Sequence, residues 1–527
     1  MPQEQAELYS YDRKHRFIGL LAVFLIYGIL GYYIQALNIA RPQIASAFDS
    51  MALFAWSVSI PALVGAFATL VGGKLSDMFG RRIVLLICLI FAFIGTGLAA
   101  LSPSFIFLIV ATSIGSLGIG AMAPLVMAVI GDMYSPAQRS KWIGLLNIPM
   151  GIANFIGPYL GGKLTDTWGW SYVFWSSVPF LAISIILISV GIPKLAASGI
   201  KHDIDIKGCF LSILASSTTI LGFSFAGVTY PWVSLEIIGL FGSSLVFWIL
   251  FFKAETRAEE PLLDPSVLRN RSFATVAGST FLSTFGQIAI MSYFPMFLQG
   301  VLSTTTTLSG WVYMPFTVMM SFVGVPVGFL IARTNRYKYL YIIGYAIATI
   351  QMFGTVLLTE NSHIGWCWLS TIVGGLGLGA IPTVNTVVVQ NAIPKRLLGA
   401  AMGALFFSLL IGVAVSPAIL DSARNVTFSK ALTLPENNDI LTSSAVMASL
   451  RNPDALLNEN SYEALEKSIK SIGPDGERLF QQTEAAIRTA MESSIRRVFL
   501  IGAITMLLAF LLICTIPEVP IGSRSDQ

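Results

Sequence analysis

The sequence predicts an all-α protein whose helices cross a membrane, and three observations predict it. The first is composition: 55% of the 527 residues are hydrophobic and only 11% are charged, too oily for a water-soluble chain of this length. The second is that apolar runs long enough to cross a bilayer, about 20 residues each as helix, recur over residues 17–517 with mostly short polar stretches between them. The third is that Lys and Arg fall largely on one side of those runs.

The runs lie at 17–40, 52–74, 83–102, 104–130, 142–164, 172–192, 208–228, 235–252, 273–299, 307–332, 339–358, 364–390, 399–420 and 498–516, fourteen in all. Residues 1–16 are polar and carry Arg13, Lys14 and Arg16. The apolar run after them is too long for a signal peptide and lacks a small-residue cleavage site, so it reads as the first helix. An even count puts both termini on one side. With the N-terminus in the cytoplasm, 21 of the 32 Lys and Arg residues lie inside, against Arg41 and Lys163 in the short outer loops. The other nine, from Arg424 to Arg497, lie in or at the end of one long outer segment, and long segments translocate largely regardless of charge. The expectation is a multi-pass protein of the cell membrane, in contact with the lipid bilayer, with both termini cytoplasmic.

The same asymmetry accounts for the net charge of +4, so nucleic acid is not expected as a partner; that would need a basic soluble face. Cys88, Cys209, Cys367 and Cys514 all fall within apolar spans, and His15, His202 and His363 in loops. Neither a metal site nor a histidine relay across the membrane is expected. No phosphate-binding loop of the Gly-x4-Gly-Lys-Ser/Thr type is present, so ATP-driven pumping by that route is not expected. The chain reads as a gradient-driven carrier, not an enzyme, without a cofactor.

Between the second and third spans runs Gly73-Lys74-Leu75-Ser76-Asp77-Met78-Phe79-Gly80-Arg81-Arg82. Glycines let two helix ends approach, and a carboxylate there can cap a helix and pair with guanidinium groups. The stretch resembles motif A of the major facilitator superfamily. A second inner loop, Gly131-Asp132-Met133-Tyr134-Ser135-Pro136-Ala137-Gln138-Arg139, offers another Asp and Arg. The resemblance implies that Asp77, Arg81, Asp132 and Arg139, with Gly73, Gly80 and Arg82 around them, form an inner charge network that latches the outward-facing state. A weaker copy, Gly328-Phe329-Leu330-Ile331-Ala332-Arg333-Thr334-Asn335-Arg336, lacks the Asp, as a degraded internal repeat would. In the fifth span, Gly144, Gly157, Pro158, Gly161 and Gly162 resemble motif C, associated with drug:proton antiporters. Small residues on one face allow close helix packing there.

Over nearly its full length the chain is similar to the fourteen-span drug:proton antiporter (DHA2) family. Matching stretches include Gly169-Trp170 to Pro179, Tyr293-Phe294-Pro295-Met296-Phe297-Leu298-Gln299, and Gln390-Asn391-Ala392-Ile393-Pro394-Lys395-Arg396. The resemblance implies the major facilitator fold: two six-helix bundles plus an inserted two-helix hairpin. It divides the chain into an N-terminal bundle (1–192), the hairpin of spans 7 and 8 (193–255), a cytoplasmic loop (256–272) and a C-terminal bundle (273–527) that includes the outer segment 421–497. It also implies a monomer that exports lipophilic or amphipathic small molecules by alternating access, with proton coupling resting on the family alone. A lipid or anionic-metabolite carrier, or a sensor or scaffold without transport, are the alternatives.

Where that family usually has an Asp in the first span this chain has Tyr33, and where it has an Arg in the fourth it has Thr112. None of the 28 acidic residues lies deep in a span; Asp49, Asp166, Glu236, Glu360 and Asp421 lie at or near the outer ends. A cavity without a carboxylate favours a neutral, amphipathic or anionic substrate over a hard dication. Glu236 and Asp421 are the candidate rim proton acceptors. Tyr33, Gln35, Asn38, Trp56, Thr112, Ser116, Asn147, Asn154, Gln287, Tyr313 and Asn385 are the candidate cavity residues. In the outer segment, 461–470 and 477–497 have helical composition and are split by Gly473-Pro474-Asp475-Gly476, which predicts a helical hairpin over the cavity mouth.

Overall fold

The computed structural model describes residues 13–133, 136–192, 206–226, 230–257, 265–334, 336–393, 398–432, 459–470 and 476–517. The helices are α1 (Arg13–Ala47), α2 (Phe54–Phe79), α3 (Arg81–Ala100), α4 (Phe105–Met133), α5 (Pro136–Trp168) and α6 (Ser171–Gly191). There follow α7 (Ile206–Phe225), α8 (Leu235–Glu255), α9 (Arg271–Val301), α10 (Thr306–Ile331) and α11 (Lys338–Val356). The chain closes with α12 (Ile364–Ala392), α13 (Leu398–Leu432), α14 (Glu459–Lys470) and α15 (Gly476–Cys514). Apart from one isolated bridge between Ala226 and Tyr230, no β-structure occurs among the described residues. A helix satisfies every backbone hydrogen bond within itself, which hydrocarbon demands. Eleven of these helices are long and apolar enough to cross a membrane, and shorter apolar stretches occupy Phe54–Thr69 and Phe210–Phe223.

The polarity of the packing is that of a membrane protein. On α3, Ile83, Ile87, Ile90 and Ile94 are exposed at helical spacing, while Val84, Leu85, Cys88, Leu89 and Ala92 are buried. An isoleucine stripe outside and smaller residues inside is the arrangement lipid permits. α7 and α8 pack chiefly on each other, and α7 also touches α13 and α2. α8 leaves Ile238, Leu245, Val246, Ile249 and Phe252 exposed, so this hairpin sits on the flank.

Two apolar clusters organise the interior. One, from Ala22 to Ile192, draws only on α1–α6 and the residue after them. The other joins Tyr33, Ile39, Phe54, Phe105 and Phe174 of the first half to α9–α15. The halves therefore share a core at the end of the molecule that carries residues 48–53, whereas the first half keeps a core of its own toward the other end.

The polar segment between α13 and α15 differs in extent from the expectation. Residues 421–432 continue α13, and 476–497 are the first half of α15, a single helix of 39 residues. At 1.5 Å per residue α15 is about 58 Å long, roughly twice a hydrocarbon core. Apolar Phe480, Ile487, Ala490, Met491 and Ile495 stay buried along it, which is why the helix does not break where the composition turns polar. The expected partner helix is present as α14, with Tyr462 against Phe480 at 5.6 Å and Lys470 bridging Glu466 and Glu477 at 2.7 Å each. Those two carboxylates hold the Lys470 ammonium above its ordinary pKa. Residues 473–475 of the predicted turn lie outside the described residues.

Candidate functional site

The site is built on the seam between α5 and α10. On α5, Gly157 and Gly161 face α1: a methyl at Gly161 would stand 2.6 Å from the Ala36 Cα. Pro158 and Gly162 face α10: a methyl at Gly162 would stand 2.5 Å from the Thr306 carbonyl oxygen, and the Pro158 carbonyl abuts Gly310. Each pair is spaced i, i+4 and so forms one face. Neighbouring faces of the same turn thus admit a helix of each half with no side chain between. Tyr159 and Trp311 close the seam edge-on at 5.5 Å, and Asp166 caps it, accepting from the Thr307 backbone N–H at 2.7 Å and from its hydroxyl.

At mid-height the seam opens into a cavity of about 460 Å³. α1 contributes Gln35, α5 Met150 and Asn154, α9 Met291, α10 Thr317, Met320 and Ser321, and α12 Pro382 and Thr383. Among the described residues that line it, none is charged. Asn154 ties the two halves together: Oδ1 accepts from Gln35 Nε2 at 3.3 Å, Nδ2 donates to Ser321 Oγ at 2.6 Å, and its carbonyl accepts from the Thr317 hydroxyl. Oε1 of Gln35 is buried without a hydrogen-bond partner among the described residues. Beside it, within the second half, a smaller pocket of about 170 Å³ is lined by Thr280, Ser283, Gln287 and Asn385 and shares Met320 and Pro382 with the first.

Beyond the cavity, toward residues 48–53, the halves are sealed. Gln299 Nε2 donates to the Ile39 carbonyl at 3.1 Å, and Phe54 packs on Tyr293 at 5.5 Å. Arg424, 4% exposed, pairs with Asp421 at 2.8 Å and reaches across to the Met51 carbonyl at 3.4 Å. Tyr293 donates to the Pro417 carbonyl at 3.2 Å.

The sequence profile of the Major Facilitator Superfamily matches residues 20–417. The chain belongs to this superfamily. It is 28% identical over 493 residues to Multidrug resistance protein 3 of Bacillus subtilis, covering 92% of this chain and 93% of the relative. To the multidrug transporter protein MdtP of the same organism it is 28% identical over 396 residues, 75% of this chain and 72% of the relative. The structure superposes with a TM-score of 0.64 on a bacterial homologue of the human lysosomal transporter Spinster, solved inward-facing and unoccupied, at 15% identity over 97% of this chain and all of that one. Superfamily members are transporters and not enzymes, so this is a multi-pass membrane transport protein for a small-molecule substrate.

The glycine seam coincides with the stretch that resembles motif C, with Gly144 outside the residues whose side chains are described. In the stretch that resembles motif A, Gly80 is fixed by geometry: at φ +90° it joins α2 to α3 in a conformation that L side chains rarely adopt. Arg81 donates to Ser76 and Arg82 to the Ser189 carbonyl on α6. The side chains of Gly73, Asp77, Asp132 and Arg139 lie outside the described residues.

The structure separates the cavity candidates into groups. Gln35 and Asn154 line the central cavity, Gln287 and Asn385 the pocket beside it. Asn385 accepts from Tyr341 and donates to Thr280 at 2.9 Å. Asn38 accepts from Arg41 at 3.0 Å in the sealed end. Trp56 packs on Phe225 of the flanking hairpin at 5.5 Å. Tyr33 lies edge-on to Phe174 inside the first half. Thr112 bonds back to the Leu108 and Ile109 carbonyls of its own helix, and Ser116 stands beside Gly65 of α2. Tyr313 is fully buried against Phe316. The side chain of Asn147 lies outside the described residues. Thr317, Ser321, Thr383 and the three methionines were missing from the sequence expectation; weak polarity made them resemble ordinary helix packing.

Glu236 is exposed in the first turn of α8, whereas Asp421 is buried. Cys88 and Cys367 are buried and Cys514 is exposed, all as free thiols.

Proposed function

We propose that this transporter exports lipophilic or amphipathic compounds of low charge by alternating access, and that the arrangement described is its inward-facing state. The observation that carries the proposal is the uncharged cavity at the seam, walled by both halves and sealed on one side. Three methionines give it soft, adaptable walls suited to varied apolar ligands. Gln35, Asn154, Thr317 and Ser321 supply a few hydrogen bonds. Two relatives that share about a quarter of the sequence are named for multidrug transport, which supports the same reading.

In this reading the chain spans the membrane fourteen times, α2, α5 and α7 joining the eleven helices that qualify by length and composition. Helices α1–α6 and α9–α13 with α15 are the two bundles, and α7–α8 is the inserted hairpin. The sealed end faces outward and both termini lie in the cytoplasm of a cell bounded by this membrane, consistent with the Lys and Arg asymmetry. Opening the other way requires the seam from Gly162–Thr306 to Asp166–Thr307 to part while the inner ends of the halves approach, where the motif A network would form.

Proton coupling in this reading runs through Asp421 in preference to Glu236. Asp421 is buried and paired, so its charge depends on Arg424, with Asn425 and Tyr293 beside it and Arg41 across the seam. Glu236 is exposed in the first turn of α8, and among the described residues no hydrogen bond or ion pair ties it to the seam.

Reconstitution into proteoliposomes tests the whole reading. Flux of a panel of neutral, cationic and anionic amphiphiles is measured with and without a proton gradient. Neutral and weakly basic compounds should move, and strongly anionic or dicationic ones should not. Absence of mediated flux for every compound would count against export.

A further inference from the structure

We propose that the pocket beside the central cavity is a second compartment of the substrate site, and that it takes an uncharged hydrogen-bond acceptor, the carbonyl of a ketone, ester or amide, carried at one end of an amphipathic compound. This rests on the reading of the central cavity as the substrate site given above. The two spaces meet at Met320 and Pro382, which line both. At about 170 Å³ the pocket is smaller than the roughly 300–1,000 Å³ that drug-sized ligands occupy. A cavity of about 150 Å³ holds one benzene. The pocket therefore has room for one ring-sized end of a molecule whose remainder lies in the 460 Å³ of the central cavity. Met320, unbranched and flexible, is the kind of side chain that can swing aside between them.

On α9, Thr280, Ser283 and Gln287 follow at three and four residues and so form one polar stripe. Asn385 of α12 joins them, whereas α13 contributes only Leu405, Phe406 and Leu409. What the polar groups can offer a ligand follows from the bonds they already make. Tyr341 donates to Asn385 Oδ1, which occupies the amide carbonyl and so orients the amide. One Asn385 N–H goes to Thr280 Oγ1 at 2.9 Å, which leaves the other N–H. As acceptor in that bond, the Thr280 hydroxyl keeps its own hydrogen to give. Ser283 commits its hydrogen to the Thr280 carbonyl at 2.9 Å, and Thr386 to the Pro382 carbonyl at 3.0 Å. Gln287 makes no hydrogen bond to the described residues, so its whole amide is free to bond a ligand. The unengaged donors are thus the Thr280 O–H, one Asn385 N–H and the Gln287 amide N–H groups, against the Gln287 carbonyl and two hydroxyl oxygens as acceptors. Donors that outnumber acceptors select a group that only accepts. Among the described residues no charged side chain lines the pocket, so an anion would be buried there without a countercharge. A neutral carbonyl meets both conditions.

Isothermal titration calorimetry on the purified full-length protein in detergent tests this with three matched compounds: an apolar scaffold ending in a phenyl ketone, its methylene analogue, and the corresponding alcohol. Wild type should bind the ketone about ten-fold more tightly than the methylene compound. Gln287→Met, which keeps the length of the side chain and breaks no bond to the described residues, should lower affinity for the ketone several-fold and leave that for the methylene compound unchanged. Tyr341 is a positioning residue. Without its hydroxyl, Asn385 can turn its carbonyl to a donor, so Tyr341→Phe should raise affinity for the alcohol relative to the ketone, whereas a merely structural loss would lower both together. Equal affinity for the ketone and the methylene compound in wild type overturns the proposal, as does binding of neither. An unchanged preference in Gln287→Met, folded by its melting temperature, overturns it as well, and the wild-type comparison stands whether or not a variant folds. Flux of the same compounds into proteoliposomes separates this proposal from the export reading. Preference in binding without flux leaves the pocket and removes export; flux with equal binding of the pair leaves export and removes the pocket.

Discussion

Asn154 is the residue at which both halves and the cavity meet. Its amide is satisfied by Gln35 on one side and Ser321 on the other, so a leucine there would cut the side-chain link to Ser321 and leave Gln35 Nε2 unpaired, keeping only the backbone bond from Thr317 across the seam. Asn154→Leu is expected to reduce flux about ten-fold, the equivalent of about 1.4 kcal/mol, with purified protein melting near the wild-type temperature. Asn154→Asp should instead put a carboxylate into the uncharged cavity and raise export of permanent cations relative to neutral compounds; a substrate profile identical to wild type would remove this cavity from consideration. Asp421 belongs to a different class of residue. Removing it leaves the Arg424 guanidinium buried without its carboxylate, a loss of about 3–5 kcal/mol. Asp421→Asn should therefore lower the melting temperature in detergent more than Asp421→Asn with Arg424→Gln does. Within proteoliposomes that fold, it should also abolish the dependence of flux on a proton gradient.

At the scale of elements, α5 shows both what sequence can reveal and where it stops. The Gly157-Pro158-Tyr159-Leu160-Gly161-Gly162 run is visible in one reading of the chain, because close helix packing needs small residues at i, i+4. Which helices approach is not: the pattern alone does not say that one pair meets α1 and the other α10. The long helix α9 is the converse case. It contains π-helical turns at Ala289–Tyr293 and Phe297–Val301, and such turns shift the register of everything after them. Met291 lines the cavity while Tyr293, two residues on and so on the opposite side of the helix, bonds to α13. A 3.6-residue periodicity carried across both turns loses register beyond them. The glycine seam yields its own prediction. Gly162→Val drives an isopropyl group, its Cβ already too close, toward the Thr306 backbone, so the sealed end should be wedged apart. Thiol labelling of a cysteine placed at Ser309 should speed up several-fold in that variant, and unchanged labelling would mean that the seam yields elsewhere.

For the whole molecule, the all-helical class and the recurrence of membrane-crossing runs were legible because a bilayer imposes them on composition. The conformational state was not, since it depends on how two rigid halves lean on each other. A disulfide fixes that state. In a protein whose Cys88, Cys209, Cys367 and Cys514 are replaced by serine, Asp166→Cys with Thr307→Cys should cross-link under mild oxidation, stop flux, and recover it on reduction. Flux that continues through the cross-linked protein would mean that this end need not open. The two apolar clusters also bear on how the chain is made. The first half has an interior of its own near one end, complete once Ile192 has emerged, whereas the interior of α9–α15 includes Tyr33, Phe54, Phe105 and Phe174 of the first half. Synthesis proceeds from the N-terminus, so the early half can serve as the template on which the late half matures. Expressed as two separate genes, residues 1–192 should accumulate unaided in membranes, and residues 193–527 should survive proteolysis only when the first piece is supplied alongside.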